Sequence, residues 1–156
     1  MKHKLLILIL PFILFSCKED NWMDWKVQNE IWLENNLRSD STIQMTADSL
    51  QYKIIYAGIQ SDVRPQATST IYCDYRLRLI NGYQVDAAQD AALSMSNVIA
   101  GFAEGLKKIH VHGDIMLYIP WQLGYGSEGN GTEGTGSYIP PYSTLIYEVH
   151  LNGVNN

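Results

Sequence analysis

Residues 98 to 106 read Val98-Ile99-Ala100-Gly101-Phe102-Ala103-Glu104-Gly105-Leu106, and they decide how the rest of this 156-residue chain is read. Ile99, Phe102, Ala103 and Leu106 fall at i, i+3, i+4 and i+7, the apolar face of a short helix, and Asn97 before them is a fair N-cap. On either side the period changes from helical to two. Upstream, Ile71, Cys73, Tyr75, Leu77 and Leu79 face one way while Asp74, Arg76 and Arg78 face the other, as in a half-buried antiparallel strand. Asn81-Gly82 ends that strand with a hairpin signal, because both residues tolerate positive φ. Earlier still, Leu50, Tyr52, Ile54 and Tyr56 alternate on one face. Downstream, Asp114 to Ile119 reads as a strand, and Leu145, Tyr147, Val149 and Leu151 alternate through the last one. Four or five strands with one short helix against a face make an α+β fold with a mainly antiparallel sheet.

Between the last two strands glycine recurs at 124, 126, 129, 131, 134 and 136. A phosphate-binding loop would need a lysine after the glycines and a helix to receive the anion. Here the loop carries Glu128 and Glu133 and runs into Ile139-Pro140-Pro141 and a strand, which fits a loop over the rim of a pocket instead.

Three stretches in order now carry a resemblance. They are the 98–106 helix, then Tyr118-Ile119-Pro120 with Leu123-Gly124-Tyr125-Gly126, then Ile139-Pro140-Pro141 with Thr144-Leu145-Ile146-Tyr147-Glu148-Val149. Tyr75, Asn81-Gly82 and Asp86 add a fourth, earlier segment. Together they resemble the signature of the FKBP-type prolyl isomerases across roughly residues 52–151. The resemblance implies an FKBP-like antiparallel sheet half-wrapped around one short helix. It also implies cis/trans isomerisation of X-Pro bonds, whose barrier of about 18–20 kcal/mol comes from amide resonance. No nucleophile, metal or cofactor is expected, only an apolar pocket that favours the rotated amide.

Carried over residue by residue, the resemblance makes Asp86 a rim carboxylate and Tyr125 the hydroxyl that reaches a substrate carbonyl. Val98 and Ile99 become the pair whose backbone lies beside the peptide, with Ile99 counted among the catalytic positions beside Asp86 and Tyr125. Tyr75 and Phe102 become wall and floor, Ile139 an apolar rim residue, and Tyr147 an inner wall usually occupied by Phe. Two departures stand out. Val85 occupies a position where the family has Phe, which removes much of one wall, since a large aromatic buries about 150–250 Å2. The segment from Ala87 to Asn97 is shorter than in typical members and holds no aromatic residue, so Tyr138, in the long loop, is expected to fold in.

The N-terminus has a different character. Lys2 and Lys4 precede an apolar run from Leu5 to Phe15 that ends at Ser16-Cys17, too short to span a bilayer at about 20 residues. Leu14-Phe15-Ser16-Cys17 resembles the lipobox of bacterial lipoproteins, with Cys17 as the lipid-bearing first residue of the mature chain. Residues 1–16 are thus read as signal peptide, 17–48 as attachment site, linker and a short helix, and 49–156 as the globular domain. In that helix Trp22, Trp25, Trp32 and Leu33 recur at helical spacing with Asn29 and Asn36 beside them, a stripe fit to pack on the domain or on a second copy in a homodimer. The expected location is the cell envelope, lipid-anchored with the outer membrane preferred, facing periplasm or cell surface.

Charge narrows the partners. The whole chain has 11 basic and 16 acidic residues; loss of Lys2 and Lys4 leaves 9 against 16, a net −7. No Lys or Arg follows Lys108, so no basic face is available for nucleic acid. With Cys17 lipidated, Cys73 has no disulfide partner and reads as a small core residue. His110 and His112 have the i, i+2 spacing of two metal ligands on a strand, but no third ligand is evident, and turn histidines are the plainer reading. Two functions remain in view: an isomerase acting on proline-containing polypeptides outside the cytoplasm, and a non-catalytic chaperone-like module on the same scaffold.

Overall fold

The computed structural model describes residues 22–60 and 63–156; Cys17, its lipobox and the signal peptide lie outside them. In chain order the elements are helix α1 (Trp22–Ser39), strands β1 (Gln44–Met45), β2 (Gln51–Tyr56), β3 (Thr70–Arg78) and β4 (Gln84–Ser94), helix α2 (Ala100–Leu106), strand β5 (Asp114–Ile119), a 3-10 turn at Trp121–Leu123 and strand β6 (Leu145–Asn155). The strands form one antiparallel sheet in the order β1-β2-β5-β6-β3-β4. The expected α+β architecture is therefore present, with six strands rather than four or five.

Alternation sets the two faces. From β3, β5 and β6 the residues Ile71, Cys73, Leu77, Ile115, Leu117, Ile119, Leu145, Val149 and Leu151 turn inward and are nearly or wholly buried. Helix α2 covers this inner face, adding Phe102 and Leu106 to the same core. Its approach is close because a Cβ at Gly101 would run into Ile119 Cγ2 and one at Gly105 into Leu117 Cδ2. The two glycines of the helix motif thus let it seat directly on β5. The helix begins differently from expectation: Ile99, extended at φ −60° and ψ 149°, occupies the cap position and makes no side-chain cap bond. Asn97 lies two residues too early to serve.

The hairpin between β3 and β4 also differs in detail. Only Gly82 takes positive φ, at 82°, with its N–H on the Leu79 carbonyl at 2.9 Å. Asn81 instead accepts the Tyr83 N–H on its side chain at 2.9 Å. Strand β2 departs as well. Leu50 is buried, but Ile54 and Tyr56 are exposed, because β2 passes the edge of the core near Ile54, where its register against β5 slips.

Helix α1 packs on its own domain, with Trp25 against the edge of the common core. Trp25 Nε1 donates to Ser143 Oγ at 3.0 Å, and Trp32 meets Tyr118 at 5.9 Å between ring centroids. Asn29 is fully buried and fully used: its amide donates to the Trp25 carbonyl at 2.8 Å, and its oxygen accepts the Thr144 N–H at 2.7 Å. Asn36 donates to Gln51 Oε1 at 2.9 Å, and Gln51 in turn donates to the Leu33 carbonyl. The tryptophan stripe is covered intramolecularly. What α1 leaves outward is Met23, Val27 and Ile31. Among the described residues no helix is long and apolar enough to cross a membrane.

Candidate active site

Where α2 begins, the inner face of the sheet opens into a cavity of about 210 Å3. Its floor and inner wall are three rings from three elements. Phe102 of α2 and Tyr147 of β6 meet edge-on at 4.9 Å, and Tyr75 of β3 lies 6.5 Å from the first and 5.9 Å from the second. Each ring reaches the cavity for a sequence reason: Tyr75 and Tyr147 sit at inward positions of alternating strands, and Phe102 faces the sheet from the helix stripe. Edge-to-face packing of this kind is favourable in itself and gives the chamber an aromatic floor and wall.

The polar groups are few and distinct in state. The Tyr75 hydroxyl donates to Asp86 Oδ2 at 2.7 Å, and the neighbouring Ala87 N–H donates to Asp86 Oδ1 at 2.8 Å, which fixes the carboxylate at the rim. Tyr125 and Tyr147 both line the cavity, and their hydroxyls have no hydrogen-bond partner among the described residues. Burial, then the charge of Asp86, raises the Tyr125 phenol above its usual value, so it stays protonated and able to donate. Val98 and Ile99 line the mouth, and the Ile99 carbonyl receives the Phe102 and Ala103 N–H groups at 3.1 Å, leaving its own N–H unpaired among the described residues. The site offers an apolar chamber with a handful of donors at its edge. That suits a neutral amide better than a charged ligand.

The structure thus brings together Asp86, Ile99, Tyr125, Tyr75, Val98, Phe102 and Tyr147. It does not bring in three others. Tyr138 does not fold into the cavity. A two-way bridge between Asn130 and Ile139 makes the chain there extended, so adjacent side chains diverge: Ile139 enters the core and Tyr138 turns to Trp22 of α1 at 6.4 Å. Ile139 is therefore core, 2 % exposed, and not rim. Val85 likewise stays within the core at 8 % exposure, its short side chain lying outside the cavity lining. Two further residues line the cavity: Leu93, which the sequence did not single out, and Asn97, which it offered only as an N-cap. Leu93 pairs with Ile71 across β3 and β4, and supplies apolar surface on a segment that holds no aromatic residue.

The remaining candidates fall elsewhere. His110 and His112 stand in the turn between α2 and β5, where His112 has φ 65° and His110 Nε2 accepts Arg64 Nε–H at 2.8 Å. Among the described residues no group of three His, Cys, Asp or Glu is placed to hold a metal. Burial, aided by Asp74 and Asp90, pushes the Cys73 thiol up to about 12, which makes it an unreactive core group. A larger depression of about 720 Å3 lies on the outer face of the sheet, but its charged groups are matched internally. Glu148 takes both Arg76 at 3.2 Å and Arg78 at 2.7 Å, and His150 pairs with Asp114 at 2.8 Å. The smaller cavity has the convergent unpaired donors and is the stronger site.

Comparison with known proteins agrees. Residues 61–152 match the profile of the FKBP-type peptidyl-prolyl cis-trans isomerases. A probable FKBP-type peptidyl-prolyl cis-trans isomerase of Haemophilus influenzae is 34 % identical over 72 % of this chain and 46 % of its own length. The outer membrane protein MIP of Legionella longbeachae is 31 % identical over 83 % of this chain and 54 % of its own. The crystal structure of FkpA from Escherichia coli superposes with a TM-score of 0.76 at 29 % identity, over 85 % of this chain and 60 % of that one. The chain spans about half the length of the curated relatives it matches. The helix seated on β5 by two glycines, the three-ring cavity and the Tyr75–Asp86 rim are thus placed on a scaffold that those proteins share, and the chain belongs to the FKBP-type peptidyl-prolyl cis-trans isomerase family.

Proposed function

We propose that this protein catalyses cis/trans isomerisation of X-Pro bonds in polypeptides of the cell envelope, using the three-ring cavity. The observation that carries the reading is the meeting of an apolar, edge-packed chamber with the unpaired Tyr125 hydroxyl and a fixed Asp86 at its mouth. Rotation about the prolyl C–N bond breaks no covalent bond; it removes amide resonance, and the barrier is about 18–20 kcal/mol. The planar amide is the better hydrated form, so transfer into an apolar chamber disfavours it relative to the twisted one. Phe102, Tyr147 and Tyr75 receive the ring of the proline. Tyr125 donates to a peptide carbonyl and holds the chain on one side of the bond while the other side turns. Asp86 keeps the Tyr75 ring in place through its hydroxyl. Leu93 stands in for wall area that Val85 does not provide.

The envelope location rests on the Leu14-Phe15-Ser16-Cys17 lipobox, and a relative that carries the name outer membrane protein supports it. Acyl chains on Cys17 contribute about 0.8 kcal/mol per buried CH2 and would hold the protein at a membrane. Loss of membrane association in a Cys17→Ser variant, read by fractionation, checks the anchor. A homodimer through α1 would have to use Met23, Val27 and Ile31, since the tryptophans are engaged with the domain; sedimentation mass decides it.

The test of function is refolding of a denatured protein whose slow phase is proline isomerisation. Catalytic amounts of this protein should accelerate that phase, and an Asp86→Ala variant should do so much less. Suppressed aggregation of the refolding chain with an unaltered slow phase would assign the cavity to binding alone, the chaperone reading.

A further inference from the structure

Tyr147 carries a hydroxyl where an aromatic wall needs none, and the protein does not use it. The residue is 8 % exposed, and its ring is clamped by Phe102 at 4.9 Å and Tyr75 at 5.9 Å. Flanking strands fix it further: Tyr147 sits at the centre of the sheet, paired with Leu77 on one side and Leu117 on the other. Its hydroxyl has no hydrogen-bond partner among the described residues, although the side chain lines the cavity. The contrast with Tyr75 is direct, since that hydroxyl is committed to Asp86 at 2.7 Å. Burial raises the Tyr147 phenol well above its ordinary value, and the nearby Tyr125 and Tyr75 add to this. It therefore keeps its proton and remains a donor. The hydroxyl is not sealed in the core but borders the cavity, so a ligand there can take the hydrogen bond that the protein does not.

We propose that the Tyr147 hydroxyl donates a hydrogen bond to the nitrogen of the X-Pro amide as that amide rotates. In the planar amide the nitrogen lone pair is delocalised into the carbonyl and accepts no hydrogen bond. On rotation that delocalisation is lost, the nitrogen becomes pyramidal, and its lone pair becomes an acceptor. No proton is transferred and no bond is broken. A donor fixed at the inner wall, beside the rings that hold the proline, meets an acceptor only in the twisted state. Such an interaction raises kcat without tightening the ground-state complex. The roles of the two hydroxyls then divide, with Tyr125 binding a carbonyl throughout and Tyr147 acting during the rotation.

This inference rests on the isomerase reading, and the experiment separates the two. kcat and KM are measured separately for the parent protein, Tyr147→Phe and Tyr125→Phe with a proline tetrapeptide, together with the urea midpoint of each. Tyr147→Phe should lower kcat about three- to tenfold with KM nearly unchanged, the loss of one hydrogen bond formed only in the transition state. Its urea midpoint should stay close to that of the parent, because the substitution removes no hydrogen bond within the protein. A kcat equal to or above the parent value overturns the inference, and a lowered midpoint with unchanged kcat overturns it by giving the hydroxyl a structural role. A parent protein no faster than the uncatalysed reaction sinks the isomerase reading itself, before any variant is compared.

Discussion

The two faces of the sheet treat their polar groups in opposite ways. On the outer face Glu148 is matched by Arg76 and Arg78, Asp114 by His150, and Asp74 by Asn152 and the Asp90 N–H. On the inner face the Tyr125 and Tyr147 hydroxyls are matched by nothing among the described residues. On β6 the two kinds are immediate neighbours, Tyr147 lining the inner cavity and Glu148 the outer depression. A polar group that is already paired holds the sheet together. One that is left open beside an apolar chamber waits for a ligand. The size of the depression misleads here, for the outer one is larger and the inner one has the chemistry.

The comparison breaks most readily at Phe102. Phe102→Ala removes a ring buried to 2 % that belongs to both core and cavity. The expected cost is about 3–5 kcal/mol in urea unfolding, with activity lost as well. A variant of parental stability and activity would show that the cavity floor is not part of the core. Next in size is the α1 seam. Asn29→Leu leaves the Thr144 N–H without its acceptor and should lower stability by about 1–3 kcal/mol, while kcat per folded molecule stays at the parent value. Loss of activity in proportion to α1 detachment would tie the helix to the site.

A pH scan sharpens the contrast further. Tyr75, Tyr125 and Tyr147 have raised values in the folded state, and burial holds Cys73 at about 12 against an ordinary 9.0. Groups raised on folding lend stability that is complete below their unfolded values and is lost as pH rises toward the folded ones. Thermal unfolding should therefore be flat between about pH 6 and 8 and fall steadily from pH 9 upward, with a separate acid loss as the depressed Asp40 and Asp74 carboxylates protonate. A midpoint insensitive to pH between 9 and 11 would mean these groups are not buried as described. Smallest of all is Arg76→Ala on the outer face. Its partner Glu148 keeps Arg78 and both are part-exposed, so the loss should stay within about 0–1 kcal/mol with activity unchanged.

Much of this was legible before any coordinates. β3, β5 and β6 follow from alternation at Ile71–Leu79, Asp114–Ile119 and Leu145–Leu151, because one face is buried and period two is then forced. α2 follows from Ile99, Phe102 and Leu106, and the ring trio from the motif residues that carry it. β4 was harder. Its Ala87, Ala88, Ala91 and Ala92 have little strand preference, and most of the strand is exposed, so no apolar period marks it. Its path is set by pairing with β3 and by a bulge at Asp90, held by Asp74. Leu93 stayed hidden with it. Tyr138 and Ile139 were misplaced for a different reason: which of two neighbours faces a cavity depends on the Asn130–Ile139 bridge, a long-range pairing that no local pattern reveals. Likewise the α1 stripe was plain, but its partner was fixed only by Ser143, Thr144 and Gln51, far along the chain.

The most direct test of the central claim compares isomerisation of a proline tetrapeptide by the purified protein with that by Asp86→Ala, Tyr125→Phe and Arg76→Ala. The account predicts a rate above the uncatalysed one, lowered about three- to tenfold in the two inner-face variants and unaltered in Arg76→Ala. A folded parent that leaves the peptide relaxing at the uncatalysed rate, or an inner-face pair as active as the parent, would contradict it.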